Sequence, residues 1–555
     1  MPVASDSASP VVNVAAHLDR MARQWPNARA LGWSVGSRGY RHWTFRELNE
    51  ETNRYAHGLR REGIGRGTRT ILMVRPSTEF FALTFALFRI GAVPVLIDPG
   101  MGREKMAECL AGVEAEAFIG IPLAHIYRLL HSKAFRGIKV YITAGRRWCW
   151  GGLRLRDIRS DEAREFEIEA TRGSDPAAII FTTGSTGPPK GVLYRHSNFD
   201  AQVRILREHF GVRPGEVDLP TFPLFALFAP ALGMTAVIPD MDFTRPGFVD
   251  PARIIRAIND QSVTHMFGSP ALLDRVGRYG QAHGVKLRSL RRVISAGAAV
   301  PPVTLERYSC MLPDDAEIHT PYGATEALPV ASITGREILG GTRKLTDEGR
   351  GTCVGRPIPS VTARIIGIND GPIPSWDNSL VLKDGEIGEI VVKGPVVTTE
   401  YFWNPTADEL AKIRDGDDIW HRMGDVGYLD DQGRLWFCGR KAHRVVTKHG
   451  TLFTEPCESI FNQHPKIRRT ALVGVGHRPR QTPVICFELE DEALVAMGGE
   501  LSDTLCNELF ELAGSHEMTR IIGKFLWHPS FPVDIRHNSK IFREKLAVWA
   551  AEQLR

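Results

Sequence analysis

Cysteine is scarce in this sequence, and the few cysteines that occur are widely spaced. There are 8 in 555 residues, and no two of them form a Cys-x-x-Cys pair. This pattern argues against a disulfide framework and against a zinc site, and it predicts reduced thiols of the kind found in cytosolic proteins.

Long apolar runs and blocks of like charge are also missing. The longest apolar run, at residues 224–238, is interrupted by Pro230 and Gly233, whereas a membrane-spanning helix needs about 20 apolar residues. We therefore interpret the run as protein core. The 69 Lys and Arg residues against 64 Asp and Glu residues give a net charge of only +5, which does not by itself indicate nucleic-acid binding. The opening residues, Met-Pro-Val-Ala-Ser-Asp-Ser, lack the basic and apolar regions of a signal peptide, so we expect a cytoplasmic protein.

The overall composition is that of a globular protein. Hydrophobic residues make up 43% of the sequence and charged residues 24%, which excludes a collagenous, coiled-coil or wholly disordered chain. Because a single hydrophobic core rarely grows beyond roughly 250–300 residues, a chain of 555 residues is expected to form at least two domains.

Short apolar segments alternate with helical patterns along the first part of the chain. Strands are predicted at residues 70–74, 92–97, 177–181, 264–267 and 293–295, with an apolar helix at residues 78–88. This alternation indicates parallel sheet in an α/β architecture. From about residue 361 the segments become β-branched, which indicates a β-rich appendage with strands at 361–368, 388–393 and 435–438. We place the main domain boundary near residue 440, before a small α+β region.

The strongest motif is a loop rich in hydroxyls and glycines that follows the strand at 177–181. Its sequence is Thr182-Thr183-Gly184-Ser185-Thr186-Gly187-Pro188-Pro189-Lys190-Gly191. Glycines allow backbone N–H groups to approach an anion, while hydroxyls and the lysine add further donors. The motif is not a Walker A loop, since Pro189 stands where that pattern requires glycine. The residue types therefore predict a loop that wraps a polyphosphate.

Three further motifs are weak when each is taken alone. Pro321-Tyr322-Gly323-Ala324-Thr325-Glu326 is ordinarily a strand-end turn with a solvated glutamate. The Gly424-Asp425 pair, followed by a strand that ends at Gly439-Arg440, is a common turn sequence. Lys540 lies near the C-terminus, where a lysine is normally solvated. The order of all four motifs along the chain makes the combination far more specific than its parts.

In these motifs and their order the sequence resembles the adenylate-forming superfamily, which includes acyl-CoA synthetases, adenylation domains of peptide synthetases and firefly luciferase. The resemblance extends from about residue 43 to about residue 546. It implies an α/β fold with a large N-terminal domain of parallel αβ subdomains plus a β-rich subdomain, and a small mobile α+β C-terminal domain. We place the large domain at residues 1–438, the hinge at 439–443 and the small lid domain at 444–555.

The resemblance also implies ATP and Mg²⁺ as cofactors and assigns roles to residues. Lys540, Thr325, Glu326 and Lys190 would be catalytic, with Glu326 binding Mg²⁺ and Thr325 contacting the α-phosphate. Lys540 would bridge the substrate carboxylate and the α-phosphate, and Asp425 would accept hydrogen bonds from the ribose hydroxyls. The phosphate loop would hold the β- and γ-phosphates, Tyr322 and residues 297–299 would sandwich the adenine, and Arg440 would reach the ribose or phosphate side. The implied nucleotide-binding set is Thr182, Thr183, Gly184, Ser185, Thr186, Gly187, Lys190, Gly297, Ala298, Ala299, Tyr322, Gly323, Ala324, Thr325, Asp425, Arg440 and Lys540.

A finer resemblance is to the β-lactone synthetases of bacterial long-chain olefin biosynthesis. It lies in Arg356-Pro357-Ile358-Pro359 and in residues 365–373, 421–425 and 435–440. Enzymes of that family adenylate a 2-alkyl-3-hydroxyalkanoic acid, whose own β-hydroxyl then attacks the activated carbonyl to release AMP and a cis-β-lactone. The resemblance therefore implies an AMP-forming ligase that associates with a β-lactone decarboxylase and other olefin-pathway enzymes, and that binds no nucleic acid.

Two alternatives remain open: a long-chain fatty acyl-CoA ligase that also forms an acyl-adenylate, and a non-catalytic nucleotide-binding scaffold of a lipid-biosynthesis assembly. Against the ligase, Ala442 stands in the hinge where thioester-forming members usually carry Asp or Lys, and the spacing from Gly450 to Pro456 is one residue longer than usual. Against the scaffold, the charged residues that the resemblance assigns to catalysis and nucleotide binding are all present.

One segment fits the G-x-S-x-G elbow of serine hydrolases, namely Gly32-Trp33-Ser34-Val35-Gly36. No strand–turn–helix context accompanies it, so we interpret it as a chance match.

The substrate pocket and the general base are less clearly marked in the sequence. Residues 225–233 are expected either to line an alkyl tunnel or to pack as plain core. For the general base that activates the β-hydroxyl, His265 and His196 are equally eligible.

Overall fold

The computed structural model describes residues 12–98, 101–161, 164–181, 189–490, 503–533 and 541–555. Within these residues the strands are β1 Arg29–Ser34, β2 Tyr40–Thr44, β3 Arg69–Met73, β4 Val93–Leu96, β5 Ala117–Gly120, β6 Val140–Thr143, β7 Leu153–Arg154, β8 Pro176–Phe181, β9 Gly191–Arg195, β10 Val217–Pro220, β11 Thr235–Ile238, β12 His265–Phe267, β13 Arg292–Ile294, β14 Glu317–Ala324, β15 Ala327–Thr334, β16 Thr352–Pro357, β17 Thr362–Ile366, β18 Gly388–Lys393, β19 Lys412–Asp415, β20 Asp418–Leu429, β21 Leu435–Arg440, β22 Val445–Thr447, β23 Gly450–Leu452, β24 Ile467–Val475, β25 Thr482–Leu489 and β26 Phe525–Trp527. The α-helices are α1 Ala16–Gln24, α2 Phe45–Arg61, α3 Thr78–Arg89, α4 Arg103–Ala111, α5 Pro122–Leu130, α6 Leu155–Ile158, α7 His196–Glu208, α8 Pro223–Ala226, α9 Phe228–Leu232, α10 Pro251–Gln261, α11 Pro270–Ala282, α12 Pro302–Ser309, α13 Gly335–Glu337, α14 Arg343–Leu345, α15 Pro405–Ala411, α16 Thr454–Phe461, α17 Asp503–Gly514 and α18 Arg543–Gln553.

A mainly parallel sheet is built from the N-terminal part of the described chain, in the strand order β7-β6-β5-β3-β4-β8-β9. Among the described strands of this sheet, β8 and β9 alone pair antiparallel. Each residue of β4 is buried, as is typical of a parallel sheet with helices on both faces. Helix α3 begins after Ser77, whose hydroxyl accepts a hydrogen bond from the N–H of Phe80 at 3.3 Å. Lys190 directly precedes β9, so this sheet positions it; the phosphate-loop sequence follows β8 along the chain.

A larger sheet has the order β17-β18-β20-β21-β16-β15-β14-β13-β12-β10-β11-β1-β2 among the described residues, with β19 paired to β20. The strands from β1 through β11, β10, β12 and β13 to β14 pair in parallel. From β14 onward, through β15, β16, β21, β20 and β18 to β17, the pairs are antiparallel. The β14–β15 hairpin therefore lies where the sheet changes from parallel to antiparallel.

The C-terminal part has its own small sheet, β24-β25-β26, beside the β22–β23 hairpin. Its core includes Phe461, Leu472 and Phe487. Helix α16 contacts the large sheet. The hydroxyl of Thr352, at the start of β16, donates a hydrogen bond to Oε2 of Glu455 in α16 at 3.1 Å. An α/β fold with a large N-terminal region, a β-rich portion and a small α+β region is the predicted fold class, which is confirmed.

The local predictions agree with the structure to within a few residues. Strands β3, β4, β8, β12, β13, β17, β18 and β21 and helix α3 lie where the sequence predicts them. The apolar run at 224–238 forms α8, α9 and β11, separated by Gly233 in the left-handed conformation at φ +83°. Among the described residues, no helix has the length and apolar content needed to cross a bilayer.

Candidate active site

The turn of the β14–β15 hairpin presents Thr325 and Glu326. Two neighbours fix its backbone: the hydroxyl of Tyr194 donates to the carbonyl of Thr325 at 2.5 Å, and the N–H of Thr398 donates to the carbonyl of Glu326 at 2.9 Å. Because these contacts hold the main chain, the two side chains project from a fixed turn. They line a cavity of about 1430 Å³.

Glu326 is surrounded by a tyrosine and two lysines. The hydroxyl of Tyr401 donates to Oε1 of Glu326 at 2.7 Å. Nζ of Lys190 lies 4.9 Å from the centre of the Tyr401 ring, and Nζ of Lys412 lies 5.5 Å from it, so both cations are within the range of a cation–π contact. No described residue donates a hydrogen bond to Oε2 of Glu326, which leaves one carboxylate oxygen for a hard cation.

The buried Lys412 carries the most perturbed amine of the site. Burial lowers the pKa of Lys412 to about 8, while the carboxylates of Glu326 and Asp408 oppose this shift. Its Nζ donates to the carbonyl of Thr398. Burial and then the charge of Glu326 raise the pKa of Tyr401, so Tyr401 stays a neutral donor to Glu326 throughout the physiological pH range.

A second cluster joins Tyr322, Asp425 and Arg440. Strands β20 and β21 pair so that Asp425 faces Arg440, and Nη1 of Arg440 lies 2.9 Å from Oδ1 of Asp425. The hydroxyl of Tyr322 donates to Oδ2 of the same carboxylate at 2.5 Å. Burial raises the pKa of Asp425, and the Arg440 charge counteracts this. Burial and then the Asp425 charge raise the pKa of Tyr322. The cluster therefore presents an aromatic ring, a paired carboxylate and a guanidinium together.

The cavity brings together much of the implied nucleotide-binding set. Its lining includes Lys190, Gly297, Gly323, Ala324, Thr325, Glu326 and Arg440. Tyr322 and Asp425 adjoin it through Arg440. Ala298 and Ala299 follow Gly297, which has φ +98°, on the segment after β13. The predicted residues Thr182, Thr183, Gly184, Ser185, Thr186, Gly187 and Lys540 lie outside the described residues.

The other end of the cavity is apolar. Phe88, Phe199 and Phe228 contribute to its wall and pack on one another, with ring centres 5.7 and 6.2 Å apart. Phe225 stacks on Phe267 at 4.3 Å. Of the apolar segment at 225–233, the residues Phe225, Leu227, Phe228 and Ala231 line the cavity, whereas Ala229 and Leu232 are buried in the core. The segment therefore both lines the cavity and packs as core, through different residues of the same short helices; that the cavity holds an alkyl chain stays a prediction.

The histidine candidates for a general base lie close to this cavity but outside its lining. Nδ1 of His265 lies 2.7 Å from Oδ1 of Asp218, and its Nε2 has no partner among the described residues. His265 borders a separate small cavity of about 60 Å³ behind Phe225 and Phe228. His196 is buried and accepts a hydrogen bond from the N–H of Val14, and burial lowers its pKa to about 4.

The G-x-S-x-G segment has no nucleophile elbow. Ser34 ends β1, which pairs antiparallel with β2, and its hydroxyl accepts a hydrogen bond from the N–H of Gly36 at 3.2 Å. A hairpin takes the place of the strand–turn–helix that an exposed nucleophile requires. Its interpretation as a chance match is confirmed.

Sequence reasoning missed Tyr401 and Lys412, although both are close to Glu326. Tyr401 is 75 residues from Glu326, and Lys412 lies at the start of β19. No local motif marks either one, since each acquires its position from the packing of the β-rich region against the β14–β15 hairpin. The sequence around Lys412 is rich in charged residues, so it gives no sign that this lysine is buried.

Comparison with known proteins places this site in a family. The family model described as AMP-binding enzyme matches residues 18–402. An olefin beta-lactone synthetase from Xanthomonas campestris pv. campestris is 49% identical over 98% of both chains, and one from Stenotrophomonas maltophilia is 49% identical with the same coverage. A long-chain-fatty-acid–CoA ligase from Thermus thermophilus is 26% identical over 78% of each chain.

Solved structures share the fold at lower identity. The amide bond synthetase McbA from Marinactinospora thermotolerans is 22% identical with a TM-score of 0.77, covering 97% of this chain and 99% of that one. The o-succinylbenzoate coenzyme A synthetase MenE from Bacillus subtilis, solved with ATP and a magnesium ion, is 21% identical with a TM-score of 0.74, over 96% and 98% of the two chains.

Proposed function

Since this chain belongs to the family of AMP-binding enzymes, we propose that it uses ATP to adenylate a long-chain 2-alkyl-3-hydroxyalkanoic acid and closes the acyl-adenylate to a cis-β-lactone. The products are AMP, pyrophosphate and the lactone. The predicted membership of the adenylate-forming superfamily and the finer resemblance to β-lactone synthetases are confirmed by the relatives at 49% identity.

One structural observation carries the proposal: a single cavity connects polar groups suited to a nucleotide with an aromatic, apolar chamber. The polar end holds Lys190, Glu326 and Arg440, and the apolar end holds Phe199 and Phe228. A carboxylate with long alkyl chains fits such a cavity, because its head can reach the polar end while its chains displace water from the apolar end.

In the first step the substrate carboxylate attacks the α-phosphorus of ATP and pyrophosphate leaves. Positioning and charge neutralisation dominate such a transfer. We assign the β- and γ-phosphates to residues 182–190, the α-phosphate to Thr325 and Lys540, the adenine to Tyr322 and residues 297–299, and the ribose to Asp425. Mg²⁺, held through Glu326, would add positive charge at the phosphates when bound. Tyr401 would orient the Glu326 carboxylate through the hydrogen bond at 2.7 Å.

In the second step the β-hydroxyl of the same substrate attacks the activated carbonyl. A nucleophile held beside its target has a high effective concentration, so no second substrate is needed. The apolar chamber supports this step by excluding water that would otherwise hydrolyse the adenylate. Ala442 in the hinge and the longer Gly450-to-Pro456 spacing support an intramolecular step over transfer to coenzyme A.

We also propose that the chain works as a large domain, residues 1–438, joined by a hinge at 439–443 to a lid domain, residues 444–555. Contacts at the hinge support this division. Nζ of Lys441 lies 2.8 Å from Oε1 of Glu389 in the large sheet, whereas Nε2 of His443 lies 3.1 Å from Oε1 of Glu544 in α18. Within the proposed hinge, Lys441 therefore contacts the large domain, and His443 contacts the lid domain.

The proposal extends to the setting of the reaction. A strained lactone is an intermediate, so a decarboxylating enzyme that converts it to an alkene would act next, and assembly with that enzyme and others of the pathway would limit its loss. We propose that the protein acts in the cytoplasm.

Product analysis tests the proposal directly. The protein is incubated with ATP, Mg²⁺ and a 2-alkyl-3-hydroxy acid, with and without coenzyme A, and the products are identified by mass spectrometry. We expect AMP and the lactone in both cases, and bound adenylate without lactone from the matching acid that lacks the hydroxyl. Acyl-CoA as the main product would instead support a fatty acyl-CoA ligase, and no pyrophosphate from any acid would support a non-catalytic scaffold.

A further inference from the structure

Helix α5 exposes leucines that most globular surfaces would bury. Leu123 is 63% exposed, Leu129 52% and Leu130 73%. Trp148, in the loop after β6, is 53% exposed. Isolated exposed apolar residues are common, but several on one short segment indicate a surface that meets something apolar.

The same segment has a strongly one-sided charge. Residues 121–150 contain no Asp or Glu, and they contain Arg128, Lys133, Arg136, Lys139, Arg146 and Arg147. All of these except the buried Arg128 are exposed. Within the part of the chain that the structure describes, none of the five exposed cations forms an ion pair. The rest of the protein carries both signs in near balance, so this segment is a local basic region.

Direct contacts join the tryptophan loop to the helix. Trp150 stacks on His125 of α5 with ring centres 5.1 Å apart, and Trp148 packs against Trp150 at 5.3 Å. Nη2 of the Arg128 guanidinium donates to the carbonyl of Trp150 at 3.3 Å. The loop that carries Trp148 and the arginines at 146 and 147 therefore packs against the buried side of α5, next to the helix that carries the exposed leucines; we call the exposed residues of 121–150 the α5 face.

The α5 face borders the substrate cavity. Leu123 and Leu130 line the cavity and are also highly exposed, so they lie at its rim. Ile126 and Tyr127, between them on the helix, line it as well. An apolar path thus leads from the exposed leucines into the apolar chamber.

We propose that the α5 face binds the surface of an anionic lipid bilayer, so that long alkyl chains pass between bilayer and cavity without crossing water. Exposed Leu and Trp beside unpaired Lys and Arg are the combination that favours insertion at a lipid interface, with the cations at anionic headgroups. A bilayer accounts for both features, whereas an acidic protein partner would account for the charge but not for leucines at the rim of an alkyl-chain cavity. The binding is peripheral.

Vesicle sedimentation with the full-length protein tests this. We compare vesicles of phosphatidylcholine alone with vesicles that contain about one third phosphatidylglycerol. The wild type should sediment with the mixed vesicles and be released by high salt, since surface electrostatics are screened. The double substitution Lys133→Glu with Arg136→Glu should weaken binding by about tenfold or more. Leu123→Ser with Leu130→Ser should weaken it even at low salt, because apolar insertion is lost.

Matched controls come from elsewhere in the chain. Arg288→Glu with Arg291→Glu reverses two exposed arginines before β13, in the other sheet, and Val548→Ser removes an apolar side chain that is 62% exposed; both should bind as the wild type does. A wild type that stays in the supernatant, or a Lys133→Glu, Arg136→Glu variant that binds as tightly as the wild type, would overturn the proposal. Circular dichroism establishes that each variant is folded, and salt release of the wild type provides a test that needs no variant.

The vesicle assay contains no substrate, so its failure would leave the proposed lactone formation untouched. Conversely, Lys133→Glu with Arg136→Glu should release pyrophosphate from a short, water-soluble 3-hydroxy acid at the wild-type rate. The same variant should be slowed only when a long-chain acid is supplied in anionic vesicles.

Discussion

The hydroxyl of Tyr322 donates a 2.5 Å hydrogen bond to Oδ2 of Asp425, across 103 residues of sequence. Arg440 engages the other oxygen of the same carboxylate at 2.9 Å. Both oxygens of the Asp425 carboxylate therefore already have a protein partner, and a ribose that binds there must share them with Tyr322 and Arg440. The cluster is held in shape before the nucleotide arrives, which lowers the ordering cost of binding.

Asp425→Ala should weaken ATP binding, because it removes a charged acceptor of the ribose hydroxyls. Hydrogen bonds to charged groups contribute about 1.5–3 kcal/mol each, so the Kd should rise at least about tenfold. Titration calorimetry with ATP and with its 2′-deoxy analogue provides the measurement. The wild type should discriminate between the two nucleotides more strongly than Asp425→Ala, and equal discrimination would remove Asp425 from the ribose site. Tyr322→Phe keeps the carboxylate and should retain the discrimination.

Glu326→Gln should abolish pyrophosphate release while leaving the fold intact. The change preserves volume and the hydrogen bond from Tyr401 but removes the negative charge that would hold Mg²⁺. The pyrophosphate-release rate and the thermal unfolding midpoint are each measured for the wild type and for Glu326→Gln. A rate near that of the wild type would show that Glu326 does not bind the metal.

Tyr401→Phe should raise the Mg²⁺ concentration needed for half-maximal activity by about tenfold, since groups that orient a metal ligand typically affect metal affinity by 10–100-fold. The maximal rate at saturating Mg²⁺ should fall much less. Tyr428→Phe is the matched control, because it removes a hydroxyl that donates to the carbonyl of Arg350, away from the cavity. An unchanged Mg²⁺ dependence in Tyr401→Phe would contradict the orienting role.

Glu455 should make stability depend on pH. Burial, and then the charge of Glu458, raise the pKa of Glu455 from 4.5 to about 7. Between these values the native state holds a proton that the unfolded chain has released, so stability falls as pH rises toward 7 and levels off above it. Glu455→Gln has no carboxyl to ionise, so its stability should not fall in this way. Its free energy of unfolding should therefore increase relative to that of the wild type by on the order of 1 kcal/mol between about pH 5 and pH 8.

Urea unfolding at the two pH values measures that difference. Glu552→Gln, which neutralises an exposed carboxylate in α18, should show the same pH dependence as the wild type. If the free-energy difference between Glu455→Gln and the wild type is constant across this range, Glu455 is ionised in the folded protein throughout.

Much of the proposed chemistry is encoded locally. The phosphate loop, the Thr325-Glu326 turn and the Gly424-Asp425 pair, which lies within β20, are contiguous stretches whose residue types alone limit what they can bind. The strands and α3 are likewise predicted from short-range periodicity, because burial on both faces requires continuous apolar residues. Family membership follows from the order of these stretches along the chain.

Packing decided what local patterns could not. Tyr401 meets Glu326, and Tyr322 meets Asp425, only because segments far apart in the sequence pack together in the fold. The sequence left residues 225–233 as either tunnel or core, since both require apolar side chains; in the structure some of these residues line the cavity and others are buried in the core. By itself the sequence determined which groups are available, whereas the tertiary structure decided which of them meet, because contacts between distant residues depend on the packing of the whole chain.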